Sequence, residues 1–328
     1  MLKPSAEHIF SIRTEQEFEQ MALAIFRYQA KNNLVYKEYL EHLRKDANTI
    51  LSIYEIPFLP ISLFKSHKII SGEDKAEIIF TSSGTTGMVQ SRHYVTDQQV
   101  YLDSFVKAFE FFYGDPKEFC FLALLPSYLE REGSSLILMV EELIKLSNHP
   151  KSGFFLYEHE QLKQTLEELE SKQQKTILIG VTYALLDFIE EFNMQLKHTT
   201  VMETGGMKGK RKEMVREELH QQLKSGLGVD AIHSEYGMTE LLSQAYSKGE
   251  GVFECPPWMK IITRDTNDPL SLILTQQSGG INIIDLANIN SCSFLATQDL
   301  GRVFENRSFE ILGRFDNSDI RGCNLLVQ

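Results

Sequence analysis

The apolar positions of this chain change their spacing along its length, and each change predicts a different kind of structure. Between residues 14 and 46 they recur at helical intervals, with Phe18, Met21, Ala22, Ile25 and Phe26 on one stripe. Thr14-Glu15-Gln16-Glu17 precedes that stripe with the spacing of a capping box, in which a threonine and a glutamate three residues on satisfy each other's backbone N–H groups. Two helices packed on a core are predicted here. The segment Ile53–Leu63 carries Pro57 and Pro60 and reads as an irregular connection.

From residue 76 to about 245 short β-rich runs alternate with helical ones. Strands are predicted at Phe119–Leu125, Thr176–Gly180 and Thr199–Met202, and helices at Ser134–Leu146, Glu160–Ser171, Tyr183–Phe192 and Lys208–Leu223. Alternation on this scale indicates a layered α/β fold. After residue 258 the pattern becomes β-rich: Leu270–Leu274 and Gly280–Ile284 read as paired strands around Ser278-Gly279-Gly280. The division predicted is an α/β core over 1–257 with a helical segment at 1–52, a small β-rich subdomain over 258–313, and a short segment over 314–328.

Composition narrows the function classes. The chain has 328 residues, 42% of them hydrophobic, enough for a large core. Four cysteines without a CxxC pair argue against a zinc site or a disulfide framework. Met1–His8 is polar, so no secretory leader is expected, and no apolar run approaches the ~20 residues of a membrane span. A reducing cytoplasm is the expected location. The net charge of −12 makes nucleic acid an unsuitable partner, because phosphate backbones require a basic face.

The candidate chemistry begins at residue 81. The apolar run Ala76–Phe80 leads into Thr81-Ser82-Ser83-Gly84-Thr85-Thr86-Gly87, in which every residue is glycine or bears a hydroxyl. Such a segment has little to bury. It offers hydroxyl donors, and Gly84 and Gly87 let backbone N–H groups approach an anion, as a polyphosphate requires. No Gly-Lys-Ser/Thr follows, so it is not a Walker A loop. By itself the run also fits a solvated loop. Glu203-Thr204-Gly205-Gly206 likewise follows a β-rich run, at the carboxyl end where ligands collect in α/β sheets.

Three later segments give the loop its context: Tyr236-Gly237-Met238-Thr239-Glu240, Thr297-Gln298-Asp299-Leu300-Gly301-Arg302 and Gly313–Gly322. With the loop at 81–87 they resemble, in order, the motifs of the adenylate-forming superfamily, which includes acyl-CoA synthetases and peptide-synthetase adenylation domains. The resemblance implies the layered N-terminal-domain fold of that superfamily, with ATP and Mg²⁺ as cofactors. It implies that Ser82, Ser83, Thr85 and Thr86, with Gly84 and Gly87 between them, hold the β- and γ-phosphates, that Tyr236 stacks on the adenine, and that Gly205, Gly206 and Gly237 belong to the cofactor-binding set. Thr239 would bind the α-phosphate, Glu240 would ligate Mg²⁺, and Asp299 with Arg314 would hold the ribose. The family loop usually carries a lysine where this chain has Gln90; Arg92 and His93 stand close by as replacements for its charge. His233 is a further polar candidate, though a packed histidine is the preferred reading.

In the superfamily the Gly313–Gly322 motif leads into a further lid domain carrying a lysine. Here it is followed by Cys323-Asn324-Leu325-Leu326-Val327-Gln328, so the large C-terminal lid is expected to be lacking. Arg321–Leu326, Leu125–Leu136 and Glu203–Gly209 resemble the acyl-protein synthetases of the bacterial bioluminescence operon, the LuxE family. That resemblance implies activation of a carboxylic acid, in the family a fatty acid, as acyl-AMP. The acyl group would then pass to Cys323 and on to a partner such as an acyl reductase or acyl carrier protein. A thiolate is a strong nucleophile toward an acyl adenylate, and Arg321 and Arg314 nearby would lower its pKa. Cys120, Cys255 and Cys292 read as structural. Two other functions remain open at this stage: an acyl- or aryl-CoA ligase served by a second chain, and a nucleotide- or acyl-binding module without catalysis.

Overall fold

The computed structural model describes residues 3–82, 89–126, 133–205, 214–273 and 276–315. The chain opens with α1 (Ala6–Phe10), α2 (Glu15–Asn32) and α3 (Leu34–His42). The capping box forms as predicted: Thr14 Oγ1 accepts from the Glu17 N–H at 3.2 Å, and Glu17 Oε2 accepts from the Thr14 N–H at 2.9 Å. Asn33 ends α2 and caps α3, its Oδ1 accepting from the Tyr36 N–H. The buried Asn33 amide also donates to the Ser291 carbonyl, and buried Gln29 donates to the carbonyls of Asn288 and Ile289. These helices are thereby fixed to a segment more than 250 residues away.

Next come β1 (Leu59–Pro60), β2 (Ile78–Thr81), β3 (Arg92–Val95) and α4 (Gln98–Tyr113). The α/β alternation then runs β4 (Cys120–Leu124), α5 (Ser135–Ser147), β5 (Gly153–Phe155), α6 (His159–Ser171), β6 (Thr176–Val181), α7 (Thr182–Glu191), β7 (Thr199–Thr204), α8 (Arg216–Leu227) and β8 (His233–Tyr236). The remaining strands are β9 (Ala245–Ser247), β10 (Val252–Glu254), β11 (Met259–Arg264), β12 (Ser278–Asp285), β13 (Phe294–Val303) and β14 (Phe309–Arg314).

Strands β8, β7, β6, β4 and β5 lie side by side and parallel. β4 and β6 are wholly buried apolar runs, as strands covered on both faces must be. Beyond β8 the sheet continues antiparallel through β9, β10, β14, β13 and β12 to β11, while β2 and β3 form a separate hairpin. Fold class and alternation match the expectation. One pairing differs. β12 pairs with β11 and β13, and the 270–273 run contributes only a bridge from Leu272 to Arg264. Met259–Arg264 has the buried side chains that packing beside β12 requires, whereas Leu270 is exposed. Helix α4 is a second difference, since its stripe of Val100, Tyr101, Phe105, Ala108, Phe109 and Phe112 is wholly core.

Candidate active site

The carboxyl ends of β7 and β8 form the centre of the site. β7 ends at Thr204 and is followed by Gly205, whose φ of 70° belongs to the left-handed region that glycine adopts without cost. Its carbonyl accepts from Thr182 Oγ1 at 3.1 Å. β8 ends at Tyr236, and side chains alternate across the sheet there. Tyr236 turns to one face, with ring contacts to Phe253 and Phe309. Glu235 turns to the other, opposite Thr204 on β7 and Tyr246 on β9.

On the Tyr236 face three predicted residues meet. The Tyr236 hydroxyl donates to Asp299 Oδ2 at 2.8 Å, and Arg314 Nε lies 3.2 Å from Asp299 Oδ1. Asp299 on β13 is the register partner of Arg314 on β14, so the sheet itself builds the ion pair. Thr297 Oγ1 accepts from the Asp299 N–H and fixes its backbone. Burial raises the Asp299 carboxyl above its usual range; Tyr236, Arg314 and Arg264 act against that rise. The Arg314 side chain remains largely exposed while Asp299 is buried, an arrangement that sets a fixed acceptor beside an exposed, ion-paired cation.

Thr239 and Glu240 are held by backbone contacts from two directions. His93 on β3 hydrogen-bonds the Thr239 carbonyl through Nδ1 at 3.0 Å and Ser291 Oγ through Nε2 at 2.9 Å. Asn288 donates to the Glu240 carbonyl at 2.8 Å. Just beyond, the buried Asp285 carboxylate accepts from the N–H groups of Leu242 and Ser243 and from the Ser243 hydroxyl. The Glu240 side chain accepts a hydrogen bond from Ser91, and burial raises its pKa. Ser91 also closes the neck of the β2–β3 hairpin: its N–H donates to Ser82 Oγ at 2.9 Å, and its carbonyl accepts from the Ser82 N–H at 3.1 Å. Ser82 and Glu240 therefore share one partner. Ser83, Gly84, Thr85, Thr86, Gly87, Gly206 and Cys323 lie outside the described residues.

Glu240 fits a Mg²⁺ ligand. It is buried, and among the described residues it has no ion-pair partner; Arg314 and Lys65 act on it only at longer range. No group of three or more metal-ligating side chains occurs among the described residues. Mg²⁺ takes one or two carboxylates and completes its shell with phosphate oxygens and water.

His93 departs from expectation. It is buried beside the Phe64 ring, and burial lowers its pKa to about 4, so it is neutral and supplies no charge in place of the family lysine. It is a positioning residue for Thr239. Arg92, its neighbour, is exposed. His233 is a packed histidine: it lies at the opening end of β8, hydrogen-bonded to the Tyr113 hydroxyl, with its pKa lowered to about 4 by burial and by Lys248. Burial pushes the Cys120 thiol up to about 11 and the Cys292 thiol up to about 12, and raises Cys255 as well, so none of the three is a ready thiolate.

Two carboxylates, buried Glu203 and half-buried Glu235, were given no role of their own by the sequence. Glu203 accepts from Thr182 Oγ1, with His220 Nε2 3.7 Å away. Glu235 accepts from Thr204 Oγ1, and burial together with the charge of Glu203 pushes it up to about 7. Their position at consecutive register pairs of β7 and β8 becomes visible only when the strands are paired.

Comparison with known proteins agrees with this geometry. The family model described as "Acyl-protein synthetase, LuxE" matches residues 8–328. No curated protein matches the chain. Among solved structures, ATP-bound MatB from Rhodopseudomonas palustris superposes with a TM-score of 0.55 at 17% identity, covering 72% of this chain and 47% of MatB. A 2-hydroxyisobutyryl-CoA ligase in the postadenylation state with 2-HIB-AMP superposes with a TM-score of 0.66 at 11% identity, covering 92% of this chain and 68% of the ligase. At such identities the superpositions establish the fold, and this chain spans about half the length of MatB. Among the described residues no helix is long and apolar enough to cross a membrane. The family match runs over nearly the whole sequence and coincides with the cluster of Tyr236, Thr239, Glu240, Asp299 and Arg314: the chain belongs to the LuxE acyl-protein synthetase family.

Proposed function

We propose that the chain activates a carboxylic acid with ATP as acyl-AMP, transfers the acyl group to Cys323, and delivers it to a partner protein or thiol. A fatty acid is the acid that the family suggests. The observation that carries this reading is the Tyr236–Asp299–Arg314 cluster beside the Ser91–Glu240 contact. One group accepts ribose hydroxyls and the other can take a metal-bound triphosphate, so a nucleotide placed between them has its α-phosphate near Thr239.

In the first step a carboxylate oxygen of the acid bonds to the α-phosphorus and pyrophosphate departs with the electron pair of the broken P–O bond. Asp299 and Arg314 orient the ribose, Tyr236 with Gly205, Gly206 and Gly237 borders the base, and Thr239 donates to the α-phosphate. Ser82, Ser83, Gly84, Thr85, Thr86 and Gly87 hold the pyrophosphate portion. Glu240 would hold Mg²⁺, which supplies charge neutralisation on the phosphates. In the second step the Cys323 thiolate bonds to the acyl carbon and AMP departs, leaving a thioester. An acyl reductase or acyl carrier protein is the acceptor this reading expects, in a reducing cytoplasm that keeps the thiol free.

The test is acid-dependent ATP–pyrophosphate exchange together with the intact mass of the protein. Exchange with a mass gain equal to the acyl group supports the account. Fold likeness to a CoA ligase favours a second reading, in which free CoA receives the acyl group and the protein gains no mass. ATP binding without exchange would leave only a binding module.

A further inference from the structure

Burial leaves His93 neutral and Gln90 carries no charge, so the phosphates of the proposed nucleotide need a cation from another part of the chain. Most of the cations around the site are committed elsewhere. Arg314 is paired with Asp299. Arg92 neighbours His93 on β3, and consecutive side chains of a strand face opposite ways. His93 grips the Thr239 carbonyl, so Arg92 faces away from Thr239 and Glu240. Buried Arg264 is engaged with the carbonyls of Ile281 and Thr297.

Lys65 stands differently. It ends a 3-10 turn, Ile61–Lys65, that follows β1. β1 runs parallel to β13, with Leu59 opposite Leu295 and Pro60 opposite Ala296, so the chain leaves it heading along β13 toward Asp299. The turn packs against both β13 and β3. Residues three apart lie above one another in such a turn, and Ile61 and Phe64 form its buried side. The Phe64 ring meets the His93 ring edge-on, with 5.4 Å between centroids. Phe64 thus seats the turn on the residue that clamps Thr239. Lys65 is exposed beside it, and among the described residues it forms no ion pair or hydrogen bond. Its charge nonetheless reaches the Glu240 carboxyl, as that of Arg314 does. An unpaired ammonium is thereby held between the strand that carries the ribose acceptor and the strand whose preceding residue, Ser91, touches Glu240.

We propose that Lys65 is a catalytic residue of adenylation: its ammonium contacts the β- and γ-phosphate oxygens of ATP and neutralises the charge that gathers on pyrophosphate as the P–O bond to the α-phosphorus breaks. The inference rests on the adenylation reading for that bond, whereas the contact itself needs only a bound triphosphate. A triphosphate with one Mg²⁺ and the Glu240 carboxylate keeps an excess of negative charge, which an unpaired ammonium offsets. A lysine suits the task, because it is a compact charge with three rotatable donors on a flexible stem and can follow the phosphates as they leave. Charge aimed at the departing group stabilises the transition state more than the bound substrate.

The experiment compares Lys65→Gln, Lys65→Arg and Arg92→Gln with wild type, by pyrophosphate exchange with a panel of carboxylic acids and by calorimetric affinity for ATP and for AMP. Lys65→Gln should bind ATP about tenfold or more weakly, the loss of one charge-assisted contact, and bind AMP as wild type does. Its exchange rate at saturating ATP should fall by on the order of 10². Lys65→Arg should recover most of both, and Arg92→Gln should match wild type. Wild-type ATP affinity and exchange in Lys65→Gln overturn the proposal. So does an equal loss for ATP and AMP, which marks a structural role, or a loss found in Arg92→Gln instead. Weaker ATP binding with unchanged exchange at saturating ATP overturns the catalytic role. If wild type binds ATP more tightly than AMP yet supports exchange with no acid, the adenylation reading fails by itself. The triphosphate contact then stands if Lys65→Gln erases that preference and falls if the preference persists. A wild type that binds no nucleotide sinks both.

Discussion

The Ser91 hydroxyl donates to the carboxylate of Glu240, while the backbone of the same serine pairs with Ser82. One residue just before β3 thus joins Ser82, at the start of the segment proposed for the phosphates, to the carboxylate proposed for the metal. The two motifs are more than 140 residues apart in sequence and are made neighbours by β3, whose His93 grips the Thr239 carbonyl.

Glu240→Gln should cut pyrophosphate exchange by on the order of 10²–10³, because metal-assisted charge stabilisation dominates phosphoryl chemistry. The Mg²⁺ concentration giving half-maximal rate should rise in parallel. Ser91→Ala should shift the same Mg²⁺ dependence in a smaller measure. Exchange with unaltered Mg²⁺ dependence in Glu240→Gln would remove Glu240 from the site.

Asp299→Ala removes an acceptor that two side chains hold in place. A hydrogen bond to a charged group contributes about 1.5–3 kcal/mol, so the KM for ATP should rise about tenfold or more. Tyr236→Phe deletes only the hydroxyl that positions Asp299, and a rise of about fivefold is expected. Nucleotide titration by calorimetry checks both. Unchanged ATP affinity in a folded Asp299→Ala protein would contradict the ribose assignment.

His93 gives a stability prediction with a definite sign. Its folded pKa is about 4 against 6.5 for a free histidine, because burial disfavours the imidazolium. The unfolded chain therefore binds the extra proton first. The stability tied to neutral His93 is complete above pH 6.5 and is lost as pH falls from 6.5 toward 4, by up to about 3 kcal/mol. Urea denaturation across that range should show a decline that His93→Gln makes shallower. A variant with the wild-type pH slope would show that His93 is not the group responsible.

Much of this architecture was legible before the strands were paired. The Thr14 capping box, the helices α5 to α7 and the buried strands β4, β6 and β7 follow from spacing alone, because local hydrogen bonding and periodicity decide them. The meeting of Tyr236, Asp299 and Arg314 was legible only as motifs in order. Three kinds of feature were hidden. α4 shows a broad aromatic face with little polar relief, so its period is blurred. The β11–β12 register depends on long-range pairing that exposed Leu270 imitates. Glu235 and Glu203 carry no periodic signal of burial until β7 and β8 place them at consecutive register pairs, on opposite faces of the sheet. Sequence spacing also offered His93 as a spare cation, whereas burial makes it a neutral clamp.

The central claim is that acyl transfer passes through a thioester on Cys323, and the most direct measurement is the intact mass of wild type and Cys323→Ser after incubation with ATP, Mg²⁺ and a panel of carboxylic acids. Pyrophosphate exchange is followed in parallel. Adenylation needs only the nucleotide and acid sites, so Cys323→Ser should keep exchange. It should lose the acyl mass that neutral hydroxylamine removes from wild type, since a serine hydroxyl lacks the thiol's low pKa and nucleophilicity. A Cys323→Ser protein that still gains a hydroxylamine-labile acyl group would place the carrier elsewhere. A wild type that makes acyl-AMP or acyl-CoA and never gains the acyl mass would contradict the account.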